Sequence, residues 1–304
     1  MPKKKWRRPA GARPMRVFFF GVGYCARRLI RRASWIEASG TARADEGVAA
    51  LKHEGIDAFR FDGAHVDPGL ERALREAEAI VVSIPPRDPY TAAVDRFAAA
   101  IADATNLRRL VYYSTTGVYG DYGGGWVDET SATLTRTARG LARLDDEARW
   151  SAAAAARGAA ADVLRLAGIY GPGRNALINL REGVARRIVK PGHLFNRAHV
   201  DDIAELTRLV LTRELDGQIW NVADEEPAPP QDVVAYAATL LGLEPPTEEP
   251  FEDALLSPMA TEFYADNKRV SIAKAKALLG FSPAYPSYRE GLKALAASGE
   301  GRSA

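Results

Sequence analysis

The feature that most constrains this chain is the segment Phe20-Gly21-Val22-Gly23-Tyr24-Cys25-Ala26, which sets small residues at GxGxxA spacing. It follows Arg16-Val-Phe-Phe-Phe20, a short apolar run that reads as a buried strand, and it opens a helical pattern over residues 24–33. Between a strand and a helix, each small residue has a physical reason. Gly21 permits a tight turn, Gly23 lets the backbone approach a pyrophosphate, and Ala26 lets the helix pack closely on the strand. The helix start offers backbone N–H groups and the positive end of its dipole to a phosphate. This opening predicts a dinucleotide site, with Gly21, Gly23, Tyr24 and Ala26 around the pyrophosphate.

The pattern that follows extends the same architecture. Residues 41–43 end a weak second strand, 58–61 read as a third, and Asp67-Pro68 reads as a helix start followed by Leu70 and Leu74 on one face. Residues 79–84 form a fourth strand stopped by Pro85-Pro86. Val94, Phe97 and Ile101 mark a helix, and residues 110–114 a fifth strand. A long alanine-rich helix covers 141–156, with Gly158 as its stop, and 162–166 is a sixth strand. Such alternation predicts an α/β fold with a doubly wound parallel sheet, the Rossmann arrangement. Beyond it come helical patterns over 201–213, 230–241, 271–279 and 288–297, a strand over 219–222, and dense proline between Pro227 and Pro250. The expected organisation is a basic disordered tail over 1–14 and a Rossmann domain over 15–170 completed by 198–224. A small C-terminal substrate lobe would comprise 171–197 and 225–304.

Composition narrows the class. At 304 residues, 47% hydrophobic and +2 net, the chain is long and apolar enough for a sizeable core and is not disordered as a whole. Lys3, Lys4, Lys5, Arg7, Arg8 and Arg13 lie in the first fourteen residues, so the rest carries −4. The basic character belongs to a tail, and nucleic acid is not the expected partner. One cysteine, Cys25, excludes a disulfide scaffold and fits a cytoplasmic location. The longest apolar stretch, residues 17–26, is half of what a membrane span needs. Four scattered histidines give no metal-binding pattern, so no metal is expected.

The second strand bears on which dinucleotide is bound. An NAD site places an acid about 20 residues after the glycines to hold the ribose hydroxyls. Here the strand ends Gly40-Thr41-Ala42-Arg43. Arg43 is placed for a 2′-phosphate, with Thr41 in support, which points to NADP. Asp45 and Glu46 follow closely enough to keep NAD as the alternative. Asp62, after the third strand, is a candidate for the adenine, and Ser83 and Pro85 for the adenosine half.

Further motifs resemble those of the extended short-chain dehydrogenase/reductase superfamily, the NAD-dependent epimerase/dehydratase family. They are Ser114-Thr-Thr-Gly-Val-Tyr-Gly120, Val127-Asp-Glu129, Arg165-Leu-Ala-Gly-Ile-Tyr-Gly-Pro-Gly173, Arg197-Ala-His-Val-Asp-Asp202 and Trp220-Asn-Val-Ala-Asp224. The resemblance covers about residues 15–224. It implies a Rossmann domain with a substrate lobe, and chemistry by a Ser/Thr and a Tyr-x-x-x-Lys pair, the tyrosine exchanging a substrate proton while the cofactor carries the hydride. By position, Thr115 takes the Ser/Thr place, Arg139 the tyrosine's and Arg143 the lysine's. Residues 123–169 contain neither tyrosine nor lysine, which resembles an atypical subgroup.

A guanidinium keeps its proton at neutral pH, so Arg139 cannot replace a tyrosine in acid–base work. Either another group moves the proton (Tyr119, Tyr122, Asp128, Glu129 or Tyr170), or the arginines clamp an anionic substrate, or the cofactor is bound without redox chemistry. The expected function is therefore an NAD(P)-dependent oxidoreductase or epimerase/dehydratase acting on a small polar substrate, with a catalytically inactive NADP(H)-binding sensor as the alternative. Asp201 and Asp202 read as helix-start residues and His199 as a satisfied buried histidine. The resemblance also implies a homodimer.

Overall fold

The computed structural model describes residues 13–87, 90 and 93–301. Most of the expected basic tail, residues 1–12, lies outside them. Arg13 lies inside and is tied down: two of its guanidinium nitrogens donate to the two carboxylate oxygens of Glu78, each at 3.0 Å.

Strands and helices alternate as β1 (Met15–Phe20), α1 (Tyr24–Arg32), β2 (Ile36–Ala42), α2 (Asp45–His53), β3 (Asp57–Arg60), α3 (Leu70–Arg75), β4 (Ala79–Val82), α4 (Ala93–Ala102), β5 (Arg109–Thr115) and α5 (Ala138–Arg157). With strands Ala160–Leu166 and Ile219–Val222 they build a seven-stranded sheet. Its order is Ile219–Val222, Ala160–Leu166, β5, β4, β1, β2, β3. The pairs β1–β2, β1–β4, β2–β3 and β4–β5 run parallel. The chain winds from β1 out through β2 to β3, then restarts on the other side of β1 with β4. A doubly wound α/β sheet binds ligands where the strand order reverses. Here that place is the carboxyl end of β1, where the glycine loop begins.

The sequence explains why β1 is central. Val17, Phe18, Phe19 and Phe20 are all buried, as expected of a parallel strand covered on both faces. Phe20 packs its ring against Phe97 of α4 at 5.1 Å and Trp150 of α5 at 5.3 Å. The same core takes in Leu70, Leu74, Ile80, Val82, Ile101 and Tyr112.

Two local expectations change. Asp67 does not cap the following helix, whose cap is Gly69. Its carboxylate turns back and accepts the Arg60 N–H at 2.6 Å, closing the end of β3. Helix α2, absent from the sequence reading, spans Asp45–His53, with Val48 and Leu51 as its buried residues.

The chain divides into two units. One comprises Met1–Thr115, Ala138–Arg165 and Ala204–Trp220; the other comprises Thr116–Thr137, Leu166–Ile203 and Asn221–Ala304. Residues 116–137 thus group with the second unit, whereas the sequence reading kept them within 15–170. The second unit has its own core of Tyr170, Leu177, Val233, Ala237, Tyr288 and Leu292. Within it, Arg197–His199 pairs with Gly168–Tyr170, Arg187–Val189 with Glu248–Pro250, and Arg269–Val270 with Trp126–Val127. Asp202 accepts the N–H groups of Ala284 (2.7 Å) and Tyr285 (3.2 Å), tying the start of helix Val200–Thr212 to the C-terminal segment. His199 is buried, accepts the Asp201 N–H on Nδ1 at 3.1 Å, and packs edge-on to Tyr170. No described helix is long and apolar enough to cross a membrane.

Candidate functional site

The glycine loop shows why its small residues are small. Gly21 has φ +85°, a left-handed conformation that favours glycine. A Cβ there would lie 3.0 Å from Ile84 Cγ2 and 3.1 Å from Ser83 Oγ, so the position is closed by packing as well. Gly23 is the opposite case: it is exposed, and an added Cβ would meet nothing within 4 Å. Nothing in the protein requires glycine at 23, whereas a phosphate approaching the backbone does. Gly23 is also the N-cap of α1 and, having no side chain, makes no side-chain cap. Tyr24 is half-buried. Ala26 is 0% exposed, pressed between helix and sheet. These residues fit a dinucleotide pyrophosphate.

Thr41, Gly40 and Ser83 support this loop from β2 and from the end of β4. The Thr41 hydroxyl accepts the Gly21 N–H at 2.8 Å and the Thr41 carbonyl accepts the Val22 N–H at 2.9 Å. Thr41 is 2% exposed, so its hydroxyl anchors the loop from below instead of supporting a 2′-phosphate. Gly40 lets β2 come close: a Cβ there would lie 2.5 Å from the Phe19 carbonyl oxygen. The signal lay in the β1–β2 register, Phe19 opposite Gly40, which the sequence does not print. Ser83 likewise spends its hydroxyl on the loop, donating to the Gly21 carbonyl at 2.6 Å.

Arg43 is exposed, one residue past the end of β2. Asp62 follows β3 and accepts the N–H groups of Ala64 (3.1 Å) and His65 (2.7 Å) together with the Arg60 guanidinium. The His65 N–H first, then Arg60, hold its carboxyl down to about 2. Asp45, the alternative ribose acid, pairs with Arg60 at 3.1 Å. Pro85 shapes the turn after β4, its carbonyl accepting the Arg87 N–H at 2.9 Å.

At the end of β5, Thr115 is half-buried. Arg143, on α5, donates to the Tyr112 hydroxyl at 3.0 Å and the Tyr113 carbonyl at 2.9 Å. Tyr112 in turn donates to Asp146 at 3.2 Å. Burial pushes both the Tyr112 phenol and the Asp146 carboxyl up. The guanidinium of Arg143 is therefore set in place by β5, while Arg139, one turn earlier, is exposed. Beside them Glu147 accepts from Ser114 and from Arg165 Nη2 at 2.8 Å, a buried network joining β5, α5 and strand Ala160–Leu166.

The other groups considered for proton transfer lie in the second unit. Tyr119 is fully buried and donates to Asn221 Oδ1 at 2.8 Å. Tyr122 donates to the Ala132 carbonyl at 2.8 Å. Tyr170 is buried. Asp128 accepts from the Thr130 N–H and hydroxyl, and Glu129 from the Asn221 N–H. Asp128 thus closes a turn. Among the described residues no group of three or more His, Cys, Asp or Glu could hold a metal ion.

A model of the NAD-dependent epimerase/dehydratase family matches residues 91–223. Protein YeeZ of Escherichia coli K12 is 32% identical over 251 residues, covering 76% of this chain and 85% of that protein. A conserved protein of unknown function from Silicibacter pomeroyi DSS superposes with TM-score 0.82 at 40% identity, over 94% of this chain and 99% of that one. At 19% identity, the UDP-glucuronic acid 4-epimerase of Bacillus cereus, solved with NAD, shares the fold with TM-score 0.74 over 92% and 95% of the two chains. The chain belongs to the NAD-dependent epimerase/dehydratase family.

Proposed function

We propose that this protein is a cytoplasmic oxidoreductase or epimerase/dehydratase-type enzyme that binds NADP in preference to NAD and acts on a small polar, anionic substrate. The observation that carries the reading is the open space over Gly23 at the uncapped start of α1. The Bacillus cereus relative, solved with NAD, supports a dinucleotide there. Arg43 at the end of β2 supports a cofactor bearing a 2′-phosphate.

When bound, the cofactor supplies hydride transfer. The chain's own residues must do the rest. The Thr115 hydroxyl holds the substrate oxygen. Arg143, fixed by Tyr112 and Tyr113, supplies positive charge without giving up a proton. Arg139 clamps a substrate anion. A site of this kind stabilises a developing oxyanion by charge and leaves protonation to solvent or to the substrate itself.

Calorimetric titration of the full chain with NADPH, NADP⁺, NADH and NAD⁺, repeated on Arg43→Ala, tests the cofactor reading. We expect the 2′-phosphorylated pair to bind about tenfold tighter or more, and the variant to lose that margin. Equal affinities in the unaltered chain would refute the NADP preference.

A further inference from the structure

Arg60 is the last residue of β3. Strands β2 and β3 pair Ala42 with Arg60, so Arg60 ends its strand beside the residue that precedes Arg43. Its side chain reaches along the carboxyl edge of the sheet to the segment Arg43-Ala44-Asp45. In a Rossmann site that segment meets the adenosine ribose.

The guanidinium of Arg60 has two ends with different partners. Nε (3.2 Å) and Nη2 (2.8 Å) both donate to Asp62 Oδ2. Asp62 is itself pinned through Oδ1 by the N–H groups of Ala64 and His65. That end is oriented. The other end, Nη1, donates to Asp45 at 3.1 Å, and the Asp45 side chain is 77% exposed. So Arg60 already holds an anion two residues along the chain from Arg43, and that anion sits in water, where an ion pair is weak and readily exchanged.

We propose that Arg60 is a second ligand for the cofactor's 2′-phosphate, that it closes on the phosphate from β3 while Arg43 closes from β2, and that Asp45 occupies Nη1 when no phosphate is present. A planar guanidinium with one edge fixed presents its remaining N–H groups to phosphate with little ordering cost. NAD carries no group to displace Asp45, so with NAD the Arg60–Asp45 pair stays closed. The exposed carboxylate thereby acts as a competitor that tunes the preference. This rests on the NADP reading above and extends it to a residue outside the glycine loop and the end of β2.

The test is calorimetry on the full chain with NADPH, NADH, adenosine 2′-monophosphate and adenosine 5′-monophosphate. The variants are Arg60→Met, Asp45→Asn and Arg43→Ala. Arg60→Met should weaken NADPH and the 2′-monophosphate by about tenfold or more, leaving NADH within about twofold. Asp45→Asn, a change at an exposed side chain, should tighten NADPH relative to NADH. If Arg60→Met weakens NADPH and NADH alike, Arg60 only shapes the 62–65 turn and the proposal falls. If Arg43→Ala removes the preference while Arg60→Met and Asp45→Asn do not alter it, the clamp is wrong and the NADP reading stands. If the unaltered chain does not distinguish the two monophosphates, both fail together.

Discussion

At the scale of single residues, Gly21 and Gly23 look alike in the sequence and differ in what they protect. Gly21 protects the fold: Gly21→Ala meets a positive φ and crowding by Ile84, and should destabilise by about 1–3 kcal/mol in thermal or denaturant unfolding. Gly23 borders open space, where an added Cβ would meet nothing within 4 Å. Gly23→Val should cost only about 1 kcal/mol of stability, that of a poorer N-cap, and weaken NADPH by more than tenfold in the same titration. The motif made both glycines legible because its requirements are local. Thr41 was misread because its partner, the Gly21 N–H, is set by strand pairing and not by spacing along the chain. The bonds that hold Arg143 were not legible either: Tyr112 and Tyr113, which accept from it, and Asp146, which accepts from Tyr112, meet it only once β5 and α5 pack together.

At the scale of elements, the sheet is held at β5 by buried charge. Glu147 of α5 joins Ser114 of β5 and Arg165 of strand Ala160–Leu166. Removing one partner of such a set leaves the other uncompensated. Glu147→Gln should therefore cost about 3–5 kcal/mol of unfolding free energy in denaturant titration. The elements that the sequence announced were those with strong periodicity or continuous burial, such as β1 and β4, α5, and the helices Pro230–Leu241 and Tyr288–Ala297. Gly242 (φ +68°) and Gly280 (φ +65°) close the helices Pro230–Leu241 and Ala273–Leu279. The pairs Trp126–Val127 with Arg269–Val270 and Arg187–Val189 with Glu248–Pro250 escaped notice. Strands of two or three residues are too short to show a period, and partners far apart in sequence leave no local mark.

At the scale of the whole molecule, pH and ligand both act on stability. His193, in the second unit, is buried and stacked on Tyr264 at 5.2 Å. Burial, with Lys190 nearby, brings its imidazole down to about 4. Unfolding lets it take a proton near pH 6.5. The contribution is therefore complete above pH 6.5 and is lost as pH falls toward 4, by at most about 3 kcal/mol. His193→Phe should flatten this part of a melting-temperature profile between pH 7 and 4. Ligand works by mass action: NADPH at a hundred times its Kd adds about 2.7 kcal/mol to whatever it binds in the folded state alone. The family and the doubly wound sheet were legible in the order of motifs. Arg60 was not, because its role depends on which strand lies beside β2. Hydrogen exchange by mass spectrometry, with and without saturating NADPH, is the measurement that tests the account at its centre. The account predicts slowed exchange across residues 20–28 and 41–45, the glycine loop, the first turn of α1 and the end of β2. Saturation by NADPH with exchange in those two segments unchanged would contradict it.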